Sequence, residues 1–208
     1  SAKAKVILDA AQPATDDHDY LNAKVVSAYP GVLVGEWPQR NAKDCLLIPF
    51  ACNGVLATVQ AISATGSLIG SSNKDWLLGG NKSGASFTIG NLATSEQIVV
   101  AEGYSTCASI HESTGMAVVM AGDTSNLPHV AKQIRSQWPQ KRLVVAADDD
   151  RDTSGNPGLK AAQKASQAVK AALVVPGFTD EEVSKWRQCH KDKSPTDFND
   201  LRVIRGLD

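Results

Sequence analysis

From residue 98 onward the hydrophobic positions fall in short unbroken runs: Ile98-Val-Val-Ala101, Ala117-Val-Val-Met-Ala121, Leu143-Val-Val-Ala-Ala147 and Leu173-Val-Val175. Each run is too short for a buried helix and apolar on both of its faces. That is the pattern of strands in a parallel sheet covered on both sides. Residues 105–114, 127–138 and 158–171 lie between the runs and read as helices, the second closed by Pro139. The fourth run is stopped by Pro176-Gly177. Residues 179–190 read as another helix with Asp180 and Glu181 near its positive end. A polar linker over 191–195 leads to a last helix opened by Asp197 and ending near Gly206. Strands alternating with helices predict an α/β fold with a parallel sheet flanked by helices.

The first part of the chain has a different texture. Residues 15–21 look like a helix start, with Asp and Thr side chains available as caps, and Tyr29-Pro-Gly31 is a turn. Leu46-Leu-Ile-Pro-Phe50 and residues 55–62 are β-like and are joined through Cys52-Asn-Gly54, a hairpin signal. Small and polar residues fill 63–73. Lys74-Asp-Trp-Leu-Leu78 is followed by a Gly-rich turn over 79–84 and by Ser86-Phe-Thr-Ile89. Residues 45–90 therefore predict an antiparallel meander. The expected organisation is a smaller mixed, β-rich subdomain over 1–94 and a parallel α/β domain over 95–208.

Composition is ordinary for a globular chain: of 208 residues 42% are hydrophobic and 21% charged, enough to bury a core. No apolar run approaches the ~20 residues that cross a bilayer. No signal peptide is visible behind Ser1-Ala-Lys-Ala-Lys5, and the expected location is cytoplasmic. The chain starts without an initiator Met, as an excised piece of a longer protein would. The net charge of −1 advertises no global basic field, so any nucleic-acid contact has to be a local groove. Cys45, Cys52, Cys107 and Cys189 form no CxxC pair, and their spacing fits neither a zinc ribbon nor a disulfide framework. They read as reduced thiols. The four histidines show no ligand spacing.

The chemistry gathers at strand ends. Ligands of open α/β sheets sit at the carboxyl ends of the strands. Here the run at 98–101 delivers Glu102-Gly103, and the run at 143–147 delivers Asp148-Asp-Asp150. In extended chain, side chains two apart share a face, so Asp148 and Asp150 point together and Asp149 turns elsewhere. Three carboxylates on one edge repel one another unless a cation neutralises them. Mg²⁺ (or Mn²⁺) takes such oxygen ligands and bridges to phosphate. Gly103 leaves the backbone open at a helix N-terminus, a further place for phosphate.

The segments Val99-Val-Ala-Glu-Gly-Tyr-Ser-Thr-Cys-Ala-Ser109 and Val144-Val-Ala-Ala-Asp-Asp-Asp150 resemble the two signatures of the Toprim domain. That family includes replicative primases, topoisomerases, small nucleases and recombination-mediator proteins. Asn156-Pro-Gly-Leu-Lys-Ala-Ala162 and Asp197-Phe-Asn-Asp-Leu201 resemble its primase-like branch, found in plasmid, phage and mobile-element primases and primase-helicases. The stretch from Leu46 to Gly90 looks like the β-rich subdomain that precedes Toprim in primases. The likeness covers roughly residues 45–205. It departs from replicative primases in having Ser105-Thr106 where those carry a further acid, and in lacking zinc-ribbon cysteines ahead of the domain.

The resemblance implies a DNA primase catalytic core. Such an enzyme is a Mg²⁺-dependent nucleotidyltransferase that makes RNA primers from NTPs on a single-stranded DNA template. Its partner is a replicative helicase, or a helicase domain fused in the same polypeptide; no membrane is involved. Glu102, Asp148 and Asp150 are the implied catalytic and metal-binding set, with Glu102 either a ligand or the base acting on the 3′-hydroxyl. Lys74, Lys82, Arg40 and Gly103 are the implied nucleotide- or nucleic-acid-binding set. Trp76 is either a stacking platform for a base or a buried indole. Asp152 is either a helper of the metal set or a solvated loop carboxylate. Asp197 and Asp200 read as caps of the last helix. The same signature leaves open a metal-dependent Toprim nuclease and a non-catalytic nucleic-acid-binding module.

Overall fold

A computed structural model of the chain describes residues 2–206. The chain divides into two compact units between Phe87 and Thr88.

The first unit is built on a five-stranded antiparallel sheet in the order β1-β2-β3-β4-β5. Its strands are β1 (Gln12–Pro13), β2 (Leu33–Trp37), β3 (Ala42–Cys52), β4 (Val55–Ser63) and β5 (Lys74–Trp76). The expected hairpin is there: β3 and β4 pair from Cys45↔Ser63 to Cys52↔Val55, and Asn53 (φ 50°) and Gly54 (φ 77°) turn the chain with positive φ. One face alternates Cys45 and Leu47 on β3 with Val59 and Ala61 on β4, and these pack with Ala4, Trp37, Leu68 and Leu77. Ala4 belongs to helix α1 (Ala2–Asp9), which had no clear signal because only one of its eight residues is buried. Strands β1 and β2 were also missed in the sequence. The first is two residues long and exposed, and the second is only half-buried along most of its length. Helix α2 (Asp19–Lys24) starts later than expected. Its cap is His18, whose Nδ1 accepts from the Tyr20 amide at 3.2 Å, rather than an Asp or Thr.

The second unit holds a sheet in the order β10-β9-β7-β8-β6. Strands β7 (Gln97–Ala101), β8 (Ala117–Met120), β9 (Arg142–Ala146) and β10 (Ala172–Val174) are the four apolar runs of the sequence, and each neighbouring pair is parallel. Strand β6 (Phe87–Ile89) lies at the edge of this second sheet instead of closing the meander, and Ser86 just before it bridges to Ala51 of β3. Helices α3 (Tyr104–Thr114), α4 (Leu127–Gln137) and α5 (Pro157–Val169) follow β7, β8 and β9. Helix α4 buries Leu127, Val130, Ala131 and Ile134, a stripe at helical spacing, and with α5 it covers Ile98, Val100, Val119, Leu143 and Val145. Fourteen buried side chains form this cluster, worth on the order of 1.5–3 kcal/mol for each large aliphatic one, and Val99, Val118, Met120 and Tyr104 are buried outside it.

Helix α6 (Asp180–Cys189) buries none of its residues. A polar helix of this kind depends on its ends. The Thr179 hydroxyl accepts from the Glu182 amide at 3.2 Å, and the Glu182 carboxylate accepts from the Thr179 amide at 2.7 Å. Helix α7 (Phe198–Arg205) is capped by Asp197, which accepts from the Asp200 amide at 2.8 Å, and it packs along α3.

Candidate functional site

The two acidic segments leave adjacent strands in the same direction. The β7–β9 register pairs Val100 with Val145, so Glu102 and Asp148 emerge just beyond the last paired residues of neighbouring parallel strands. Both stand at the carboxyl rim of the sheet, where the dipoles of the following helices present their positive ends. The Glu102 carbonyl accepts from the Gly122 amide at 2.8 Å, which ties the start of this rim to the end of β8. Gly103 is extended (φ −97°), buried, and is the N-cap of α3.

After β9 the chain folds back on the N-terminus of α5. The Gly158 amide donates to Asp150 Oδ2 at 2.9 Å, and the Asp150 amide donates to Asn156 Oδ1 at 2.9 Å. Asn156 is the N-cap of α5 in the left-handed region (φ 45°), a conformation that Asn tolerates better than most residues. Its amide nitrogen donates to Asp149 Oδ1 at 2.7 Å, and Arg151 Nε donates to Asp149 Oδ2 at 2.9 Å. Asp149 is thus paired with Asn156 and Arg151.

Gly158 is required sterically. A Cβ there would lie 2.7 Å from both the Asp148 carbonyl oxygen and Asp150 Oδ2. The close approach of α5 to the acidic turn explains the glycine next to Pro157.

A strap from the end of the chain locks this turn. The Asp149 amide donates to the Thr196 carbonyl at 2.7 Å. Asp152 accepts from the Ser194 amide at 2.7 Å, from the Ser194 hydroxyl at 3.0 Å and from Arg187 at 2.8 Å. The two bonds from Ser194, with help from Arg187, hold the Asp152 carboxyl below its usual range. Asp152 is therefore a structural tie between the acidic turn and the segment that carries Ser194 and Arg187. Asp197 caps α7 as expected, and its other oxygen accepts from the Thr106 hydroxyl at 3.1 Å. A carboxylate from far along the chain is thus brought to Thr106 in the first turn of α3. Sequence reading missed this pairing because it spans ninety-one positions.

Among the described residues, no three Asp, Glu, His or Cys side chains stand close enough to enclose one metal ion. The rim offers hard oxygen donors on neighbouring strand ends without a closed cage. Carboxylate oxygens are donors of the hard type that Mg²⁺ takes. All four cysteines are free thiols. An apolar cleft of about 470 Å³, lined by Val99, Ile110, Val144, Phe198 and Leu201, contains none of the rim carboxylates.

In the first unit, β5 carries Lys74 and Trp76 on one face and Asp75 on the other. Trp76 is half-buried, with its ring edge-on to Phe50 at 4.7 Å and Lys82 Nζ at 5.8 Å from its centroid. It is neither a fully buried indole nor an open platform. Arg40 closes the short 3-10 turn Pro38–Arg40, and its Nε donates to Asp75 Oδ2 at 2.8 Å. Sequence reading gave Asp75 no role.

Comparison with known proteins gives a consistent picture. A family model described as Toprim domain matches residues 97–208. Two curated proteins of Escherichia coli, both named DNA primase TraC, are similar to this chain. One is 34% identical over 170 residues, covering 78% of this chain and 11% of that protein. The other is 33% identical over 178 residues, covering 82% and 16%. The chain thus spans about a tenth to a sixth of the length of these relatives. A solved structure of the DnaG catalytic core superposes with a TM-score of 0.52 over 98% of this chain and 79% of that one, at 11% identity, a likeness of fold.

Proposed function

The chain belongs to the Toprim domain family, and from that premise we propose that it is the catalytic part of a DNA primase. In this reading it joins NTPs into short RNA primers on a single-stranded DNA template. One observation carries the choice: the stretch similar to DNA primase TraC, 170 residues long, is longer than the Toprim match over 97–208, so it reaches into the β-rich first unit. A reading confined to the Toprim signature accounts for the second unit alone.

Each rim residue then has a task. Asp148 and Asp150 are the residues that would hold Mg²⁺ or Mn²⁺, with Glu102 either completing the set or taking the proton of the primer 3′-hydroxyl. Bound there, the ion supplies positive charge against the triphosphate of the incoming nucleotide. Gly103 offers its backbone at the N-terminus of α3 to a phosphate oxygen. The bond from the Gly158 amide to Asp150 and the bond from the Asp149 amide to the Thr196 carbonyl fix the acidic turn before substrate arrives, so the carboxylates need no reorganisation during reaction. Lys74, Lys82 and Arg40 supply the local positive charge that the overall balance of −1 lacks, and they hold template or nucleotide phosphates. A replicative helicase, separate or fused, is the proposed partner.

The test is primer synthesis by the 208-residue chain with NTPs, Mg²⁺ and single-stranded DNA. Di- and trinucleotides that vanish in Glu102→Gln support the proposal. Cleavage of the DNA without synthesis assigns the same carboxylates to a nuclease. Neither product, with DNA binding unchanged by Asp148→Asn, leaves a binding module and removes the primase.

A further inference from the structure

The most heavily engaged buried carboxylate of the first unit is Asp75, and the acidic rim makes no use of it. Its side chain is only 6% exposed. Three donors converge on its Oδ2: Trp37 Nε1 at 2.9 Å, Gln39 Nε2 at 2.6 Å and Arg40 Nε at 2.8 Å. Burial pushes the Asp75 carboxyl up, but the hydrogen bonds from Arg40, Trp37 and Gln39 together outweigh it and hold the group ionised below its ordinary range. Gln39 also donates to the Trp76 carbonyl at 2.9 Å and accepts from the Leu78 amide at 3.0 Å. The turn Pro38–Arg40 is thereby fastened to β5 and the residues after it.

The way Arg40 is held matters more than the ion pair itself. A guanidinium that exists only to neutralise a carboxylate commonly meets it with two parallel N–H bonds. Here, among the described residues, the contact runs through Nε alone, and 30% of the Arg40 side chain remains exposed. Among the described residues, the forked pair of terminal nitrogens donates no hydrogen bond to the protein. Asp75 also does not depend on Arg40 for its partners, since the Trp37 indole and the Gln39 amide already donate to it. Lys74 lies on the same strand, and Lys82 sits over the Trp76 ring. Arg40 is thus the cation that meets the buried Asp75, while Lys74 and Lys82 belong to the other face of the same strand region.

We infer that Asp75 is a positioning residue: it grips Arg40 by Nε so that the terminal nitrogens form a rigid two-pronged receptor for a phosphate group. The inference deepens the nucleic-acid reading proposed above and rests on it. The phosphate belongs either to the backbone of single-stranded DNA or to a nucleoside triphosphate; both present the paired oxygens that a guanidinium fork recognises.

The experiment measures the 208-residue chain binding a fluorescein-labelled single-stranded DNA oligonucleotide over a range of KCl concentrations, with ATP titrated in a parallel arm. Arg40→Ala is expected to weaken one of the two ligands on the order of tenfold, the worth of a charge-assisted contact. If DNA supplies the phosphate, the slope of log affinity against log salt also falls by about 0.7. If ATP supplies it, the loss is confined to the ATP arm. Asp75→Asn separates positioning from bulk charge. Removing a negative charge tightens binding of a polyanion if only the local field matters, and weakens it if Asp75 aims Arg40. Near-UV circular dichroism checks the fold of each variant. Arg40→Ala leaves the Trp37 and Gln39 bonds in place, so it carries the test alone should Asp75→Asn fail to fold. The inference is overturned if Arg40→Ala lowers the melting temperature while affinity and salt slope for both ligands stay put, or if Asp75→Asn tightens DNA binding. A wild-type chain that binds neither ligand overturns the nucleic-acid reading and this inference with it. A chain that binds DNA through Arg40 yet makes no primer fails only the reading.

Discussion

The Gly158 amide donates to Oδ2 of Asp150 at 2.9 Å, so the start of α5 rests directly on the acidic turn. One of the proposed metal-binding carboxylates is therefore also the partner of a helix N-terminus.

This contact makes a substitution that should be favourable harmful. Alanine is better than glycine in a helix by roughly 1 kcal/mol. At position 158 its Cβ would stand 2.7 Å from Asp148 O and Asp150 Oδ2. Gly158→Ala is expected to destabilise the chain by about 1–3 kcal/mol, the usual cost of overpacking, and to lower primer synthesis. Denaturant melts check the sign; a more stable variant refutes the packing argument.

The three rim carboxylates should fail together. Glu102→Gln, Asp148→Asn and Asp150→Asn are each expected to cut primer synthesis by roughly 100-fold or more, the scale for removing an acid–base or charge-stabilising group. The fold should survive, because none of the three belongs to the buried apolar core. Circular dichroism beside the synthesis assay tests both halves of this expectation.

Thr106→Val keeps the shape of the side chain and removes its hydroxyl bond to Asp197 Oδ2. Thr106 is buried, so the Asp197 oxygen loses a partner inside the protein. A loss of about 1–3 kcal/mol is expected. It should register as faster amide exchange in α7, whose ties to α3 also include the bond from Asn199 to Ser109 at 3.0 Å and the Arg202–Glu112 pair. Unchanged exchange in α7 would mean that Thr106 does not dock it.

The exposed helix α6 carries a pH signature. Hydrogen bonds from Arg205 and from the Thr179 amide lower Glu182 from its ordinary 4.5 to about 2. A carboxyl whose folded value lies below its unfolded value stabilises the fold fully above the unfolded value. Its contribution fades as pH falls from 4.5 toward 2. Hydrogen exchange of residues 180–189 should accelerate over that window, and Glu182→Gln should flatten the response. A wild-type profile that is level across the window would contradict the assignment.

Much of the second unit was legible because parallel strands buried on both faces must be apolar throughout. Runs such as Ile98–Ala101 and Leu143–Ala147 have few other uses, and their carboxyl ends follow from the chain direction alone. The first unit was less legible. Strand β2 contains Gly35 and Glu36 and is only half-buried, and α1 buries one residue, so neither shows a clean period. Strand β6 reads like the last strand of a meander, yet it joins the second sheet, because pairing partners are chosen by the packed fold and not by the strand's own pattern.

The sequence by itself determined the strand–helix alternation and the rim where Glu102 and Asp148–Asp150 emerge, since each follows from local period and chain direction. Only the tertiary structure decided which carboxylates would be bound by what. Asp75 gathers donors from Trp37, Gln39 and Arg40, Asp152 takes Ser194 and Arg187, and Asp197 meets Thr106 across ninety-one positions. A lone Asp in sequence looks the same whether it faces water or a buried indole. The difference lies in desolvation and in partners delivered from distant segments, and these exist only once the chain has folded.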